Sequence, residues 1–234
     1  MTKTTNNMYK LSPSDFRYLW HDCKHCYYRK IKEGVALPSI GIPGVFMKMN
    51  ALLQNSIMGM NLKDINPDLP SGIIDVKEGF LRSVPVPGAE NCFISGRFDI
   101  ISRLNDGSFA VIDFKITDPK EDQAVKFANQ LHAYKFALEN PASGFSPRKV
   151  SKMGLITVSP QSIELIDGKV VFSSMPKYHP VEENMENFYS LIKEISEVLN
   201  GELPNPTENC SWCKYREYFK KSADEKDITD GLPF

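Results

Sequence analysis

No single charge and no single texture dominates this 234-residue chain. Its 28 Lys and Arg are offset by 29 Asp and Glu, for a formal net charge of −1. There is no global basic field, so contact with nucleic acid must come from a local patch. Apolar runs are short, and none approaches the ~18 residues needed to span a bilayer. The first residues, MTKTTNNMYK, lack the apolar core of a secretory signal. These absences predict a chain with no membrane segment in a reducing, cytoplasmic setting. No internal repeat, low-complexity block or Gly-rich phosphate loop is present, and the last absence argues against chemistry on small nucleotide esters. Cysteine is sparse but patterned. Of five, Cys23/Cys26 and Cys210/Cys213 form two C-x-x-C pairs near opposite ends of the chain, a usage that in a reducing compartment points to metal rather than disulfides.

What is there suits one globular domain with a sizeable core, since 41% of residues are hydrophobic and 24% charged. In LSPSDFRYLWHDCKHCYYRKIKEG a helix starts with Ser12 as N-cap, Pro13 at the first position and Asp15 in the first turn, and stops at Gly34. A second helix is expected over 45–57, then a loop. Segments 73–86, 92–104 and 108–116 read as strands. A helix over 119–139 carries the stripe Val125, Ala128, Leu131, Tyr134 and Leu138. A buried strand, a hairpin turning at Asp167-Gly168, an amphipathic helix over 182–199 and a short basic helix complete the order. Residues 222–234 are expected to be a flexible tail. The predicted fold class is α/β (α+β), a mixed central sheet flanked by helices, with the terminal helices joined through the cysteines. Residues 8–34 and 201–221 would form that cysteine subdomain.

The stretch GRFDIISRLNDGSFAVIDFKIT places Asp99, Asp113 and Lys115 where strand pattern calls for apolar residues. Asn105-Asp106-Gly107 suits a three-residue hairpin loop with Gly107 left-handed. Paired positions then sum to 212, as do 99 and 113, so the two carboxylates lie side by side. Lys115, two residues on, shares their face. Adjacent carboxylates repel, and a hard Mg²⁺ or Mn²⁺ relieves that repulsion. Such an ion neutralises charge on a phosphate oxygen, while a neighbouring lysine orients or helps to deprotonate water. A one-residue slip in register would send Asp99 to the other face.

Gln130 and Tyr134 fall on one face of the following helix. With them, GRFD, IDFK and QLHAY resemble the G-x-x-D, D-x-K and Q-x-x-x-Y motifs of the PD-(D/E)XK nuclease superfamily. Their order and spacing resemble its RecB-like branch, including AddB-type repair nucleases and CRISPR-adaptation exonucleases. The resemblance implies a restriction-endonuclease-like core and a Mg²⁺- or Mn²⁺-dependent deoxyribonuclease, an exonuclease before an endonuclease. It also implies DNA with a single-stranded portion as substrate, in repair, recombination or phage and defence DNA processing, with a helicase among potential partners. Asp99 and Asp113 would bind the ion together with the backbone carbonyl of Phe114, Lys115 would position the water, and Gln130 and Tyr134 would orient Lys115 or the strand. Many relatives carry a His in the early helix, but here Gly44 is followed by Lys48. Glu78 could replace it but reads first as a solvated charge, and a degenerate, metal-stapled DNA-binding or scaffold module is the alternative.

Some RecB-like nucleases hold a [4Fe-4S] cluster through one early and three late cysteines. CKHCYYRK and CSWCKYREYF resemble those motifs, except that Cys26 is gained and Phe219 stands where a last Cys is expected. The resemblance favours [4Fe-4S] on Cys23, Cys26, Cys210 and Cys213, whereas the two-plus-two spacing is equally normal for Zn²⁺. Cys92 reads as a buried hydrophobe, His21 and His25 as surface residues, and His132 carries no chemistry. Lys24, Arg29, Lys30, Lys32, Lys214, Arg216, Lys220 and Lys221, interleaved with Tyr27, Tyr28, Trp212 and Tyr215, are expected to form a DNA-tracking surface.

Overall fold

The computed structural model describes residues 8–35 and 43–226, with side chains as far as Lys220. Among them, β1 (Tyr9–Leu11) leads into α1 (Pro13–Asp15) and a π-helical turn, Phe16–Trp20, before α2 (Lys24–Glu33). Helices α3 (Gly44–Ile57) and α4 (Leu62–Ile65) precede the long strands β2 (Gly72–Val86), β3 (Ala89–Leu104) and β4 (Phe109–Ile116). Then come α5 (Gln123–Glu139), β5 (Val150–Val158), the hairpin β6 (Ser162–Ile166) and β7 (Lys169–Ser173), β8 (Lys177–Val181), α6 (Met185–Asn200) and α7 (Ser211–Lys226).

Six strands form a mixed sheet flanked by helices. Its path runs β1-β3-β4-β5-β8, with β2 on the other edge of β3. β1–β3 and β4–β5 are parallel and the other pairings antiparallel. On its second edge β3 has two partners in succession. Cys92–Ile94 pair with β1, and Ile100–Arg103 pair with β4. The five residues between, Ser95 to Asp99, lie at a fork. Gly96 lets the chain pass there, since a Cβ on it would come within 2.9 Å of the Pro13 ring.

Alternation along the strands separates two cores. Ile101 and Val111 face α1, α2, α5 and α6, whereas Ile100, Ala110, Ile112 and Phe114 face Ile57, Leu62 and Leu69. Asp113 and Lys115 keep step with Val111 and so belong to the α5 side.

Several sequence expectations need correction. The first helix is broken at His21-Asp22, and Ser12 makes no side-chain cap; Lys24 starts afresh and Gly34, at φ 68°, ends α2 as expected. Val125 is 80% exposed rather than part of a core stripe; it faces outward from a first turn whose Gln123 and Ala124 face the core. From Gln130 to Leu138 α5 is buried all round, which erases the polar face. The loop after α3 contains α4, and the short strands β1 and β8 went unread. β6 and β7 turn at Asp167-Gly168, both at positive φ, and pair with each other. α7 continues to Lys226, so the expected tail begins inside a helix, and 227–234 lie outside the described residues.

Gly96→Val should force Pro13 away from the fork and cost about 1–3 kcal/mol, read as a lower urea midpoint at unchanged m-value. An unchanged midpoint would mean that α1 does not wedge the fork.

Candidate active site and cysteine cage

The expected hairpin register holds from Arg103↔Phe109 to Ile100↔Ile112, every pair summing to 212. One step further, at Asp99 and Asp113, the backbone ladder stops. A side chain takes over: Phe114 N–H donates to Asp99 Oδ2 at 2.8 Å. Asp113, 2% exposed, receives Gln130 Nε2 on Oδ1 at 3.0 Å, and Gln130 Nε2 also donates to the Tyr134 hydroxyl at 2.8 Å. Lys115 Nζ lies 2.5 Å from Asp113 Oδ2 and 5.1 Å from the centre of the Phe127 ring. All five side chains singled out from the sequence therefore converge where the strands fork.

Electrostatics follow from that crowding. Burial, then the Asp113 charge, raise the Asp99 carboxyl to about 7, against the pull of Lys115 and the Phe114 N–H. Burial works against the Lys115 ammonium, but Asp113 and Asp99 outweigh it and raise its pKa. Burial and the same two carboxylates push the Tyr134 hydroxyl well up. These shifts favour the Lys115 ammonium and the neutral Tyr134 phenol, whose oxygen accepts from Gln130.

Glu78 stands across β2 from Asp99, between Lys77↔Ile100 and Gly79↔Phe98. Its φ of 47° is unusual inside a strand, and its charge adds to the upward push on Asp99. Lys48, at the position where relatives carry a His, is an exposed residue of α3.

The donor set fits a hard divalent cation. Asp113 Oδ2 is ion-paired to Lys115 yet accepts no aligned hydrogen bond, and Gln130 Oε1 is buried without a partner. Unsatisfied oxygens beside two carboxylates are what Mg²⁺ or Mn²⁺ coordinates.

A cleft opens beside Lys115, lined by Arg17, Tyr18, Lys120, Lys126 and Phe127. Tyr18 is 56% exposed, meets Phe127 edge-on and lies under Arg17. Sequence reasoning missed this rim, in which Lys120 is joined by Arg17, 3.9 Å from Asp22, and by Lys126, ion-paired to Asp122. Lys120 and Lys126 follow the D-x-K motif closely enough to have been suspected, but Arg17 and Tyr18 arrive only through tertiary packing.

The second cluster gathers the ends of the chain. Cys23 is the N-cap of α2 and Cys26 lies in its first turn; Cys210 precedes α7 and Cys213 lies in its first turn. Their four Sγ atoms lie within 4.8 Å of one another and could hold a metal ion. Arg216 Nη2 donates to Cys26 Sγ at 2.7 Å. The expected basic and aromatic surface is present in part: Lys214, Tyr215 and Lys220 are exposed on α7, whereas other members are paired or buried. Lys24 pairs with Glu194, Arg29 with Glu33 and Lys30 with Asp15; Lys32 sits on Tyr28. Tyr27 and Tyr28 are buried and Trp212 packs on the core. Tyr215 remains exposed against Phe219. Ion pairing removes three of the eight expected cations from that patch, Lys24 and Lys30 through acids on other elements and Arg29 through its i,i+4 neighbour. Cys92 is a buried thiol, its pKa raised by burial to about 11. His25 is held at Pro204 O, and His132 bridges Ala128 O and the Asn184 N–H.

The sequence profile of the PD-(D/E)XK nuclease superfamily matches residues 62–218, about two-thirds of the chain, a span that contains Asp99, Asp113, Lys115, Gln130 and Tyr134. The chain belongs to the PD-(D/E)XK nuclease superfamily. A nuclease that works with a divalent metal on DNA is the activity this membership suggests. No curated protein matches the chain. One similar solved structure is "Crystal structure of SSO0001", 15% identical, covering 87% of this chain and 81% of that one at a TM-score of 0.47, too distant a likeness to bear on function. Among the described residues no helix is long and apolar enough to cross a membrane.

Asp99 carries a pH signature. Its folded pKa lies above the unfolded value near 4, so the folded state binds the proton more tightly and stability falls as pH rises from about 4 to about 7. Without added divalent ion, Asp99→Asn should be more stable than the parent by about 1–2 kcal/mol at pH 8, with the gap closing towards pH 4. Equal urea midpoints at both pH values would contradict the proximity of the two charges.

Proposed function

We propose that this protein is a RecB-like, Mg²⁺- or Mn²⁺-dependent deoxyribonuclease acting on DNA with a single-stranded portion, as an exonuclease before an endonuclease. The observation that carries the reading is the meeting of Asp99, Asp113 and Lys115 at the fork, with Gln130 and Tyr134 behind them. Asp99, Asp113 and the Phe114 carbonyl are assigned as ligands. When bound, the ion neutralises a phosphate oxygen and lowers the pKa of coordinated water. Lys115 Nζ, beside Asp113 Oδ2, is assigned to the attacking water. There it orients the water and offsets charge developing on phosphorus. Gln130 fixes the Asp113 carboxylate, and Tyr134 fixes Gln130.

The cleft of Arg17, Lys120 and Lys126 is assigned to the DNA backbone, and exposed Tyr18 to an unpaired base. The support for exonuclease action is the resemblance of the motifs to RecB-like exonucleases, and the cleft beside Lys115 is where the strand would enter. Work in repair, recombination or phage and defence DNA processing, next to a helicase that supplies such ends, is the setting consistent with that substrate. The whole chain is read as one nuclease domain, with 8–34 and 201–221 as its metal-stapled cysteine subdomain.

The test is cleavage of labelled single- and double-stranded DNA with Mg²⁺ or Mn²⁺. Lys115→Ala should lose about 10²–10⁴-fold in rate while still binding DNA. Lys120→Ala should weaken binding and reduce the salt slope by about 1 with the single-turnover rate at saturating DNA retained. Cleavage by Lys115→Ala at the parental rate rejects the assignment. DNA binding without hydrolysis under any divalent ion would instead select the degenerate binding module, for which the missing early His speaks.

A further inference from the structure

The cysteine cage has a size, and size discriminates between its two potential occupants. Cys26–Cys213, Cys26–Cys210 and Cys23–Cys213 Sγ separations are 3.4, 3.6 and 3.8 Å, and no pair exceeds 4.8 Å. Four thiolates around one Zn²⁺, each at about 2.3 Å in a tetrahedron, lie about 3.8 Å apart. In a [4Fe-4S] cluster each cysteine binds a different iron at the corner of a cube, so the terminal sulfurs spread to roughly 6 Å. The cage is thus too small for the cluster that the cysteine motifs imply, and a disulfide, at about 2.05 Å, is far shorter than any of the three measured separations.

We infer that Cys23, Cys26, Cys210 and Cys213 form a closed, mononuclear Zn²⁺ site that clamps the start of α2 to the start of α7. This rests on the reading of these residues as a metal staple and goes beyond it in naming the ion. Both C-x-x-C pairs use the same local device. The first cysteine sits at a helix N-cap position, Tyr27 N–H bonding Cys23 O at 3.0 Å and Lys214 N–H bonding Cys210 O at 3.1 Å, and the second lies in the first turn. The backbone N–H groups of Cys26 and Thr207 meet Cys23 Sγ and favour its thiolate, whereas burial holds Cys26 and Cys213 towards the thiol, so that binding a cation there would release protons. Four thiolates around a divalent ion leave an excess charge of −2. Arg216, reaching Cys26 Sγ at 2.7 Å and Cys213 Sγ at 3.8 Å, offsets part of it. Arg216 is a positioning residue for the site; its N–H groups fix sulfur orientation without touching the ion. With no open coordination position and no donor beyond the four sulfurs, the ion holds the fold together rather than doing chemistry.

The full chain purified without oxygen should contain about one zinc per molecule, no acid-labile sulfide and no absorption band near 400 nm. Exchange with Co²⁺ should produce the intense visible bands of a tetrahedral cobalt–thiolate centre. Cys26→Ser should lose the zinc, and Arg216→Ala should keep it with about 10-fold weaker affinity, partly rescued by Arg216→Lys. Asp113→Asn should keep full zinc even when inactive, which separates this proposal from the nuclease reading. Iron with acid-labile sulfide and a brown chromophore, a pair of disulfides, or no bound metal would each overturn it.

Discussion

Two carboxylates that repel each other are held together where a β-ladder divides. Asp99 and Asp113 reach this position because β3 changes partner midway, leaving β1 before it meets β4, and because Asp99 spends one oxygen on the Phe114 N–H that the ladder would otherwise have used. The cost of the arrangement is visible in the raised Asp99 pKa. Folding tolerates it because the surrounding strands bury apolar residues on both faces and Lys115 supplies one compensating charge. Stability is surrendered at the point where a cation can recover it.

The neighbouring elements serve that constraint. α5 is buried over its second half, so Gln130 and Tyr134 are rigid when they meet Asp113. α1 and the π-helical turn fill the fork from the amino-terminal side and bring Arg17 and Tyr18 to its mouth. α2, whose start carries Cys23 and Cys26, follows directly, so the cysteine cage indirectly anchors the same wall. Two candidate metal sites of opposite chemistry result, hard oxygens at the fork and soft sulfurs gathered from α2 and α7.

The hairpin was legible because its register depends on local features, a three-residue turn and period-two alternation. Gln130 and Tyr134 were legible because helical spacing is equally local. The grouping of the cysteines was legible through pairing, whereas the size of their cage was not, since spacing of two residues serves zinc and iron–sulfur alike. What stayed hidden was set by tertiary packing. The break at His21-Asp22, the burial of α5 on all sides, the pairing of Lys24 and Lys30 with acids far away in sequence, and the recruitment of Arg17 to a cleft beside Lys115 all depend on contacts that no local pattern encodes.

Mn²⁺ soaked into crystals of the intact chain gives the most direct measurement of the central idea, since its anomalous signal locates the ion independently. The prediction is one Mn²⁺ bridging the carboxylates of Asp99 and Asp113, at about 2.2 Å from an oxygen of each, with the Lys115 ammonium beside it. An ion bound to only one of them, or carboxylates that stay apart with the ion elsewhere, would contradict the account.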